Sequence, residues 1–368
     1  MPTIFVVAFV LLVSGEPESN ELVSIGHPLE PRQPQLAVGQ NGAIHLTFGS
    51  GAAAYHCVSI DAGRSFSLPT RVGGATFLAL GMRRGPRVAV TDKVIIVTAI
   101  GGEKGGGRDG DLLAWRSRDS GRSWSGPVVV NDVAGAAREG LHSMAVGPNG
   151  SPFCAWLDLR NKRTEVSGST SRDGGATWSR NVLVYHSPDG SVCECCHPSV
   201  AFAPNGYLFV MWRNALNGNR DMYFTTSKDA GETFTSARLL GSQAWPLDAC
   251  PMDGGTIAVD RRGQMYAVWR RQQAVYLTEQ AATSEKMLGK GEQPWISMTD
   301  QGPVAAWVSG RPGELLVMLP SKKEPLTVAS AAVDPAVVTV DQSVVIAWES
   351  KELGRPIIKV KRIALNGQ

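Results

Sequence analysis

Four copies of one short motif, spaced at near-constant intervals, constrain the fold of this chain more than any other feature. The motif reads S-x-D-x-G-x-(S/T)-(W/F), and its copies SIDAGRSF, SRDSGRSW, SRDGGATW and SKDAGETF occupy residues 59–66, 117–124, 171–178 and 227–234. Successive copies begin 58, 54 and 56 residues apart. Such regular spacing indicates one structural unit repeated along the chain.

Each copy is typical of a β-turn that joins two strands. Its aspartate can accept backbone N–H groups within the turn, and the glycine two positions later tolerates a positive φ. The aromatic residue at the end of the motif can pack beneath the turn. We therefore assign a structural role, not a catalytic one, to four aspartates: Asp61, Asp119, Asp173 and Asp229.

A second pattern supplies the strands around these turns. A short apolar strand, a turn and a further strand that usually ends in tryptophan recur seven times, at residues 34–48, 86–100, 142–156, 198–212, 255–269, 294–307 and 335–348. Alternating and β-branched residues predict strands throughout. We find no convincing amphipathic helix beyond residue 20.

Each repeat has room for two more strands, and four strands per unit, repeated radially, define a β-propeller. We therefore predict an all-β chain with a single propeller of seven four-stranded blades, with six blades as the alternative. The seventh unit has only three strands of its own. The segment ELVSIG, residues 21–26, can supply the fourth strand and so close the ring.

Composition and the N-terminal segment narrow the class of protein. The 368 residues carry a formal net charge of +3 without a run of five basic residues, which argues against nucleic-acid binding. Residues 4–13 are apolar but too few to span a bilayer, as in the h-region of a signal peptide. We expect residues 1–18 to be a signal peptide or N-terminal anchor of an exported protein without a transmembrane domain, with a buried strand as the alternative. Residues 19–368 then form the propeller, in an oligomeric state that the sequence does not indicate.

The four motifs and their spacing resemble the Asp boxes of BNR-repeat proteins in the sialidase superfamily. The resemblance covers nearly the whole chain after residue 20 and implies a propeller. In that family the Asp boxes join the third and fourth strands of a blade, on the face opposite the active site. Sialidases bind the substrate carboxylate with an arginine cluster, and they use a tyrosine with a glutamate partner as nucleophile and an aspartate as acid/base.

The resemblance implies candidate residues on the face opposite the Asp boxes, where arginine forks suit the acid group of a substrate. The arginines are Arg87, Arg160, Arg213 and Arg270, the candidate acid/base is Asp158, and Glu349 is a further carboxylate. We identify neither the family's arginine motif at a first strand nor its tyrosine–glutamate pair. The family therefore implies that this chain binds or hydrolyses an anionic glycan, without a required cofactor. In the structural alternative, the same arginines cap the rim or pair with blade aspartates.

Half of the six cysteines fall within SVCECCHP, residues 191–198. This segment leads into the first strand of one unit, and LDACPMDGG, residues 247–255, leads into the first strand of the next. We therefore expect the two segments to lie side by side near the central channel. The residues that they and the preceding unit can gather there are Cys193, Cys195, Cys196, His197, Cys250, Met252, Asp253 and His142, whereas Cys57 and Cys154 lie in strand patterns.

Three chemistries fit this set of residues. In an oxidising compartment Cys250 can form a disulfide with one of the other three cysteines. Thiolate, thioether and imidazole ligands together favour a soft metal, copper(I) first and zinc second. The third chemistry is a catalytic thiol with His197 or His142 as its base. The sequence does not decide between these three chemistries and glycan binding. A further alternative is a non-catalytic scaffold whose rim loops bind another protein.

Overall fold

The computed structural model describes residues 22–26, 28–280, 282 and 284–365, and within these ranges every regular element is a strand. None of the described residues belongs to a helix long and apolar enough to cross a membrane. The segment 1–18, predicted to be a signal peptide or anchor, lies outside the described residues. The all-β class predicted from the alternating patterns is thus confirmed for the described part of the chain.

The strands of the described residues are all antiparallel to their partners. In chain order they are β1 (Leu22–Ile25), β2 (Arg32–Val38), β3 (Ile44–Ser50), β4 (Ala53–Ser59), β5 (Thr70–Gly74), β6 (Phe77–Leu78), β7 (Arg87–Val90), β8 (Ile95–Gly102), β9 (Asp111–Ser117), β10 (Ser125–Val129), β11 (His142–Val146), β12 (Pro152–Asp158), β13 (Glu165–Thr170), β14 (Val182–Tyr185), β15 (Ser199–Phe202), β16 (Leu208–Arg213), β17 (Met222–Ser227), β18 (Arg238–Leu240), β19 (Thr256–Val259), β20 (Met265–Arg271), β21 (Ala274–Glu279), β22 (Lys286–Lys290), β23 (Glu292–Thr299), β24 (Gly302–Val308), β25 (Gly313–Met318), β26 (Leu326–Val340), β27 (Ser343–Glu352) and β28 (Arg355–Ala364).

Most of the sheets are built from four consecutive strands. Four sheets run in simple chain order, namely β2 to β5, β11 to β14, β15 to β18 and β19 to β22. In a fifth sheet β8 lies between β9 and both β6 and β7, and β10 forms the outer edge. This repetition of antiparallel four-stranded sheets is consistent with the predicted β-propeller.

The remaining sheet holds seven strands in the order β1-β28-β27-β26-β25-β24-β23. Its longest strand, β26, belongs to two groups of strands, because Leu326 pairs with Val317 of β25 whereas Val338 pairs with Val345 of β27. At one edge β1 pairs with β28, and Ile25 lies opposite Ile358. The N-terminal strand therefore joins the group of C-terminal strands.

Tryptophans on second strands fill the space between neighbouring sheets. Trp156, Trp212, Trp307 and Trp348 are among the largest side chains that are less than 2% exposed. Trp156 of β12 shares a hydrophobic cluster with residues of β8 and β9 in the preceding sheet. The strand-terminal tryptophans of the repeated pattern thus join one sheet to the next.

The four Asp motifs connect the third and fourth strands of their sheets, at what we term the lower end. In the copy between β13 and β14, Asp173 Oδ1 accepts hydrogen bonds from Ser171 Oγ at 2.9 Å and from Thr177 N–H at 2.9 Å. Gly175, at a φ of 80°, donates its N–H to Ser171 Oγ at 2.8 Å. The same bonds recur around three other aspartates: Asp61, Asp119 and Asp229. Because neighbouring strands are antiparallel, first strands begin and second strands end at the opposite end, here termed the upper end.

Candidate functional site at the upper end

Nine polar residues at the upper end form a buried group, here termed the upper polar cluster. Most of them lie just before, or at the start of, a first strand. The members are Gln33, Arg83, Arg87, His142, His197, Arg213, Asp253, Gln293 and Asp334, each at most 8% exposed. Burying so many polar groups is costly unless they have partners, so their contacts determine what this region can do.

A chain of amide and carboxylate groups links four members of the cluster. Asp334 accepts hydrogen bonds from Gln33 Nε2 at 2.5 Å and from Gln293 Nε2 at 2.7 Å. The Asp334 N–H donates to Gln293 Oε1 at 2.8 Å, and the Gln293 N–H donates to Asp253 Oδ2 at 2.7 Å. These bonds hold together the starts of β2, β19, β23 and the second half of β26.

The arginines of the cluster are held by main-chain carbonyl groups. Arg83 donates from Nη2 to the carbonyl of Pro294 at 2.7 Å, and its guanidinium lies 5.3 Å from the ring centre of Trp295. Arg87 donates to the carbonyl of Arg83 at 2.6 Å, and Arg213 donates to that of Asp253 at 3.0 Å. Burial, reinforced by neighbouring Arg83, lowers the pKa of Arg87 to about 9. These arginines give the upper end a buried positive charge but have few donors left for a ligand.

Several polar atoms in the cluster have no hydrogen-bond partner among the described residues. They include both ring nitrogens of His197, His142 Nδ1, Asp253 Oδ1 and Arg83 Nε. Burial lowers the pKa of both histidines, and the nearby arginines lower it further, so the rings are neutral. Burial raises the pKa of Asp253, although Arg83 and Arg311 oppose that shift. Such unpartnered buried atoms are rare in proteins, and five of them lie within this one cluster.

Above this cluster, two glutamates lie on neighbouring loops at the upper end. Glu139 is in the loop between β10 and β11, and Glu194 is in the loop between β14 and β15. Burial raises the pKa of Glu139, the charge of Glu194 adds to the rise, and Arg84 and Arg138 oppose it. Arg84 donates from Nε to the Glu139 carbonyl at 2.7 Å and packs on Gly140, where an added Cβ would lie 2.9 Å from Arg84 Cδ. Glu139 is thus partly buried and lies within electrostatic range of Glu194, Arg84 and Arg138.

Three cysteine thiols converge beside the cluster. Cys193 Sγ lies 3.7 Å from Cys195 Sγ and 3.4 Å from Cys196 Sγ, and the last two sulfurs are 4.0 Å apart. Met252 packs against this group, whereas Cys250 is exposed, and all six cysteines are unbridged. In the described residues these three are the sole group of three or more His, Cys, Asp or Glu side chains with all ligand atoms within 4.8 Å of one another. His197 and His142 are therefore not part of it.

The family of this chain follows from its match to a known sequence model. A model described as a BNR repeat-like domain matches residues 88–287, more than half of the chain. The chain belongs to the BNR repeat-like family. The resemblance to Asp-box (BNR-repeat) proteins, drawn from the four motifs, is thereby confirmed. A search of curated proteins found no significant match.

Solved structures with a similar fold to this BNR-repeat protein include glycoside hydrolases. An alpha-L-arabinanase of Penicillium chrysogenum in complex with arabinobiose has a TM-score of 0.56 and 14% identity, with 93% of this chain and 99% of that one covered. A Hadza microbial sialidase has a TM-score of 0.55 and 15% identity, with 93% and 68% covered. A Trypanosoma rangeli sialidase has a TM-score of 0.54 and 12% identity, with 94% and 58% covered. At these identities the likeness shows a shared fold.

Asp158, predicted as acid/base of this BNR-repeat protein, lies in a closed ion pair. It is fully buried, and its carboxylate accepts hydrogen bonds from Trp156 Nε1 at 2.8 Å and from Arg160 Nε and Nη2 at 2.9 Å. Arg160 also donates to Asp132 at 2.8 Å. The pair Asp158–Arg160 therefore lies apart from the upper polar cluster, and its role in substrate binding stays a prediction.

The other predicted residues of the family site divide between the cluster and its edge. Arg87 and Arg213 are members of the cluster. Arg270 pairs with Glu292 at 2.5 Å, and Glu292 in turn contacts Arg311 at 3.1 Å. Glu349 is 5% exposed and accepts a hydrogen bond from Arg32 Nε at 3.1 Å. Two of the four predicted arginines thus belong to the cluster, and Arg270 borders it, because its carbonyl accepts a hydrogen bond from Arg213 Nη2 at 2.8 Å.

Sequence reasoning missed residues that lie outside the repeated strand patterns. Arg83, Arg84 and Glu139 belong to loops, where the repeat gives no positional guide. Gln33, Gln293 and Asp334 did leave a signal, because each precedes a proline at the start of a first strand and has a φ between 50° and 56°. A Gln-Pro or Asp-Pro step at equivalent points of three units marks this edge of the sheets.

Proposed function

We propose that this protein is an exported glycoside hydrolase that acts on a glycan bearing an acidic group, at the upper end of the fold. The observation that carries the proposal is the pair Glu139 and Glu194 beside Arg84. Glycoside hydrolysis uses two carboxyl groups, one of them kept protonated by a raised pKa. The fold shared with sialidases and arabinanases supports the same reading.

In this proposal the partly buried Glu139 is the general acid, and the exposed Glu194 is the second carboxylate. The guanidinium groups of Arg84 and Arg138 hold the acid group of the substrate. The upper polar cluster forms the floor of the site, and its buried arginines add positive potential without direct contact. Glu139 takes the place of Asp158 as acid, since both oxygens of Asp158 are already engaged.

We further propose that the sheets form a closed ring of seven blades, with β26 shared by the sixth and seventh and β1 completing the seventh. Contacts between first strands support the ring. They run from β2 to β7, β11, β15, β19, β23 and β26 in turn, and β26 contacts β2. The site then lies at the mouth of the central channel, as in the sequence-based prediction.

The test is hydrolysis of fluorogenic glycosides of sialic acid, glucuronic acid and L-arabinofuranose by the purified full chain. We expect turnover of an acidic glycoside, and Glu139→Gln should lower kcat by about 100-fold or more through loss of the proton donor. Arg84→Met should raise KM for the acidic substrate. Glu232→Gln, a glutamate at the lower end, should leave both constants unchanged.

Two results would contradict the proposal. One is the absence of both hydrolysis and binding across an array of acidic glycans, which would favour a protein-binding scaffold. The other is full activity of Glu139→Gln in an active protein, which would remove the proposed acid while leaving a glycan-acting function in place.

A further inference from the structure

The loop between β14 and β15 holds its three cysteines on a tight, anchored turn. Val192 forms a β-bridge with Asn214, and the Cys193 N–H donates to the carbonyl of Arg213 at 3.0 Å. The Cys196 N–H donates a hydrogen bond to the carbonyl of Cys193 at 3.5 Å, which closes the turn. The backbone therefore fixes the thiols against the end of β16.

The three thiols have the spacing of ligands around one metal ion. The sulfur–sulfur distances of 3.4, 3.7 and 4.0 Å define a circle with a radius of about 2.2 Å. A metal–thiolate bond is about 2.3 Å long. An ion at or slightly above the plane of these sulfurs would thus reach all three without movement of the loop.

The geometry points to a copper(I) site formed by Cys193, Cys195 and Cys196, with the thioether of Met252 as a further ligand. A donor set made only of sulfur selects a soft ion, and thioether is a ligand for copper(I) rather than for zinc. Met252 packs on the three cysteines from the next loop, at a φ of 52° that a side-chain-bearing residue rarely adopts.

The surroundings can hold the negative charge of such a site. The positively charged Arg213 is 1% exposed and adjoins the turn, because the Cys193 N–H donates to its carbonyl at 3.0 Å. Buried thiolates need compensation of this kind. Cys250 is exposed, so the site does not require it.

A redox pair is the competing chemistry, because Cys193 and Cys196 have the spacing of a CxxC motif. Two thiols suffice for reversible disulfide formation. The third thiol, whose sulfur lies 3.7 and 4.0 Å from the other two, and the Met252 side chain that packs on the cysteines have no part in that reaction. The metal site accounts for all four sulfur atoms, and it is independent of the proposed glycan chemistry.

The experiment titrates copper(I) into anaerobic, reduced full-length protein against the chromophoric chelator bathocuproine disulfonate. We expect one equivalent of tightly bound copper, with an all-sulfur coordination shell in X-ray absorption spectra. Cys193→Ser and Cys196→Ser should each weaken binding at least 100-fold, and Met252→Leu by about tenfold, in the range seen when metal sites lose a supporting group. Cys250→Ser is the matched control and should bind copper as the wild type does.

Thiol alkylation of the unaltered protein gives a readout that does not depend on variants that fold. Copper(I) should protect Cys193, Cys195 and Cys196 from iodoacetamide, whereas Cys250 should react with or without copper. The proposal is overturned by failure of the reduced protein to bind copper(I), by stoichiometric zinc without copper binding, or by equal loss of binding in Cys250→Ser. A native Cys193–Cys196 disulfide whose reduction yields no copper affinity would assign the loop to redox chemistry instead.

Discussion

Asp334 is the residue on which the hydrogen bonds of the upper polar cluster converge. Its carboxylate accepts from Gln33 and Gln293, and its own N–H donates back to Gln293. Both glutamines are at most 3% exposed, so water cannot readily replace a lost acceptor. Buried amides left without a partner bear their full desolvation cost.

We therefore expect Asp334→Ala to lower the free energy of unfolding by about 3–5 kcal/mol, the cost of breaking a buried charged contact. Urea denaturation followed by tryptophan fluorescence measures this. Asp300→Ala removes a carboxylate that is 56% exposed, and its partner Arg261 is 86% exposed. That control should change the free energy by less than about 0.5 kcal/mol. Equal effects of the two substitutions would show that the network contributes no stability.

At the scale of single residues, the sequence predicted chemistry best where a residue type recurs in register. The Asp motifs are of this kind, because each aspartate bonds to atoms within four residues of itself. The glutamate pair at the upper end, in contrast, leaves no repeated pattern in the sequence. Glu139 and Glu194 are 55 residues apart in sequence, and only the packing of neighbouring loops brings them together.

A pair of histidines links two neighbouring strands, β3 and β4, near the lower end. His45 Nδ1 lies 2.9 Å from His56 Nε2, and both rings are at most 5% exposed. Burial lowers the pKa of His45 from 6.5 to about 4 and that of His56, with help from His45, to about 3. Three charged residues line the groove beside His45: Asp92, Lys93 and Arg118.

This pair should make stability depend on pH below 6.5. The unfolded chain binds protons at these histidines below that pH, whereas the folded chain does not until about pH 4. Stability is therefore complete above pH 6.5 and is lost as the pH falls, by up to about 1.4 kcal/mol per pH unit for each histidine. Urea midpoints at pH 7.5 and 5 measure the loss.

The double variant His45→Gln/His56→Gln isolates this contribution, because the buried His142 and His197 act in the same direction. We expect the difference in stability between pH 7.5 and 5 to be smaller in the double variant than in the wild type. An unaltered difference in the double variant would exclude the pair as a source of acid sensitivity.

At the scale of elements, strand positions followed from alternation, but strand boundaries did not. The pattern placed a new unit at residue 335, whereas β26 runs without interruption from Leu326 to Val340. The step Asp334–Pro335 lies within β26, where Asp334 has a φ of 50° and the pairing with β27 shifts register between Val333 and Ala336, but it does not end the strand. Tertiary pairing alone changes the partner from β25 to β27.

Across the whole molecule, the N-terminal strand connects distant parts of the chain. Ile25 of β1 is 8% exposed and shares a hydrophobic cluster with Ile358 of β28 and with Leu36 and Ile44 of the first sheet. The cluster therefore joins β1 to both the C-terminal strands and the sheet that follows β1 in sequence. The strand pattern of the sequence predicted that such a strand was needed, because the seventh unit had only three strands of its own.

If β1 completes a closed ring, its apolar face should contribute to the stability of the whole fold. Ile25→Ala should lower the free energy of unfolding by about 2–5 kcal/mol, the usual range for truncating a buried isoleucine. Ser24→Ala, at an exposed position on the other face of the same strand, should have an effect below about 0.5 kcal/mol. Both effects are measured by urea denaturation, and we expect each variant to unfold in a single cooperative transition. An Ile25→Ala variant as stable as the wild type would mean that β1 is dispensable, and the proposed closure of the ring through this strand would fail.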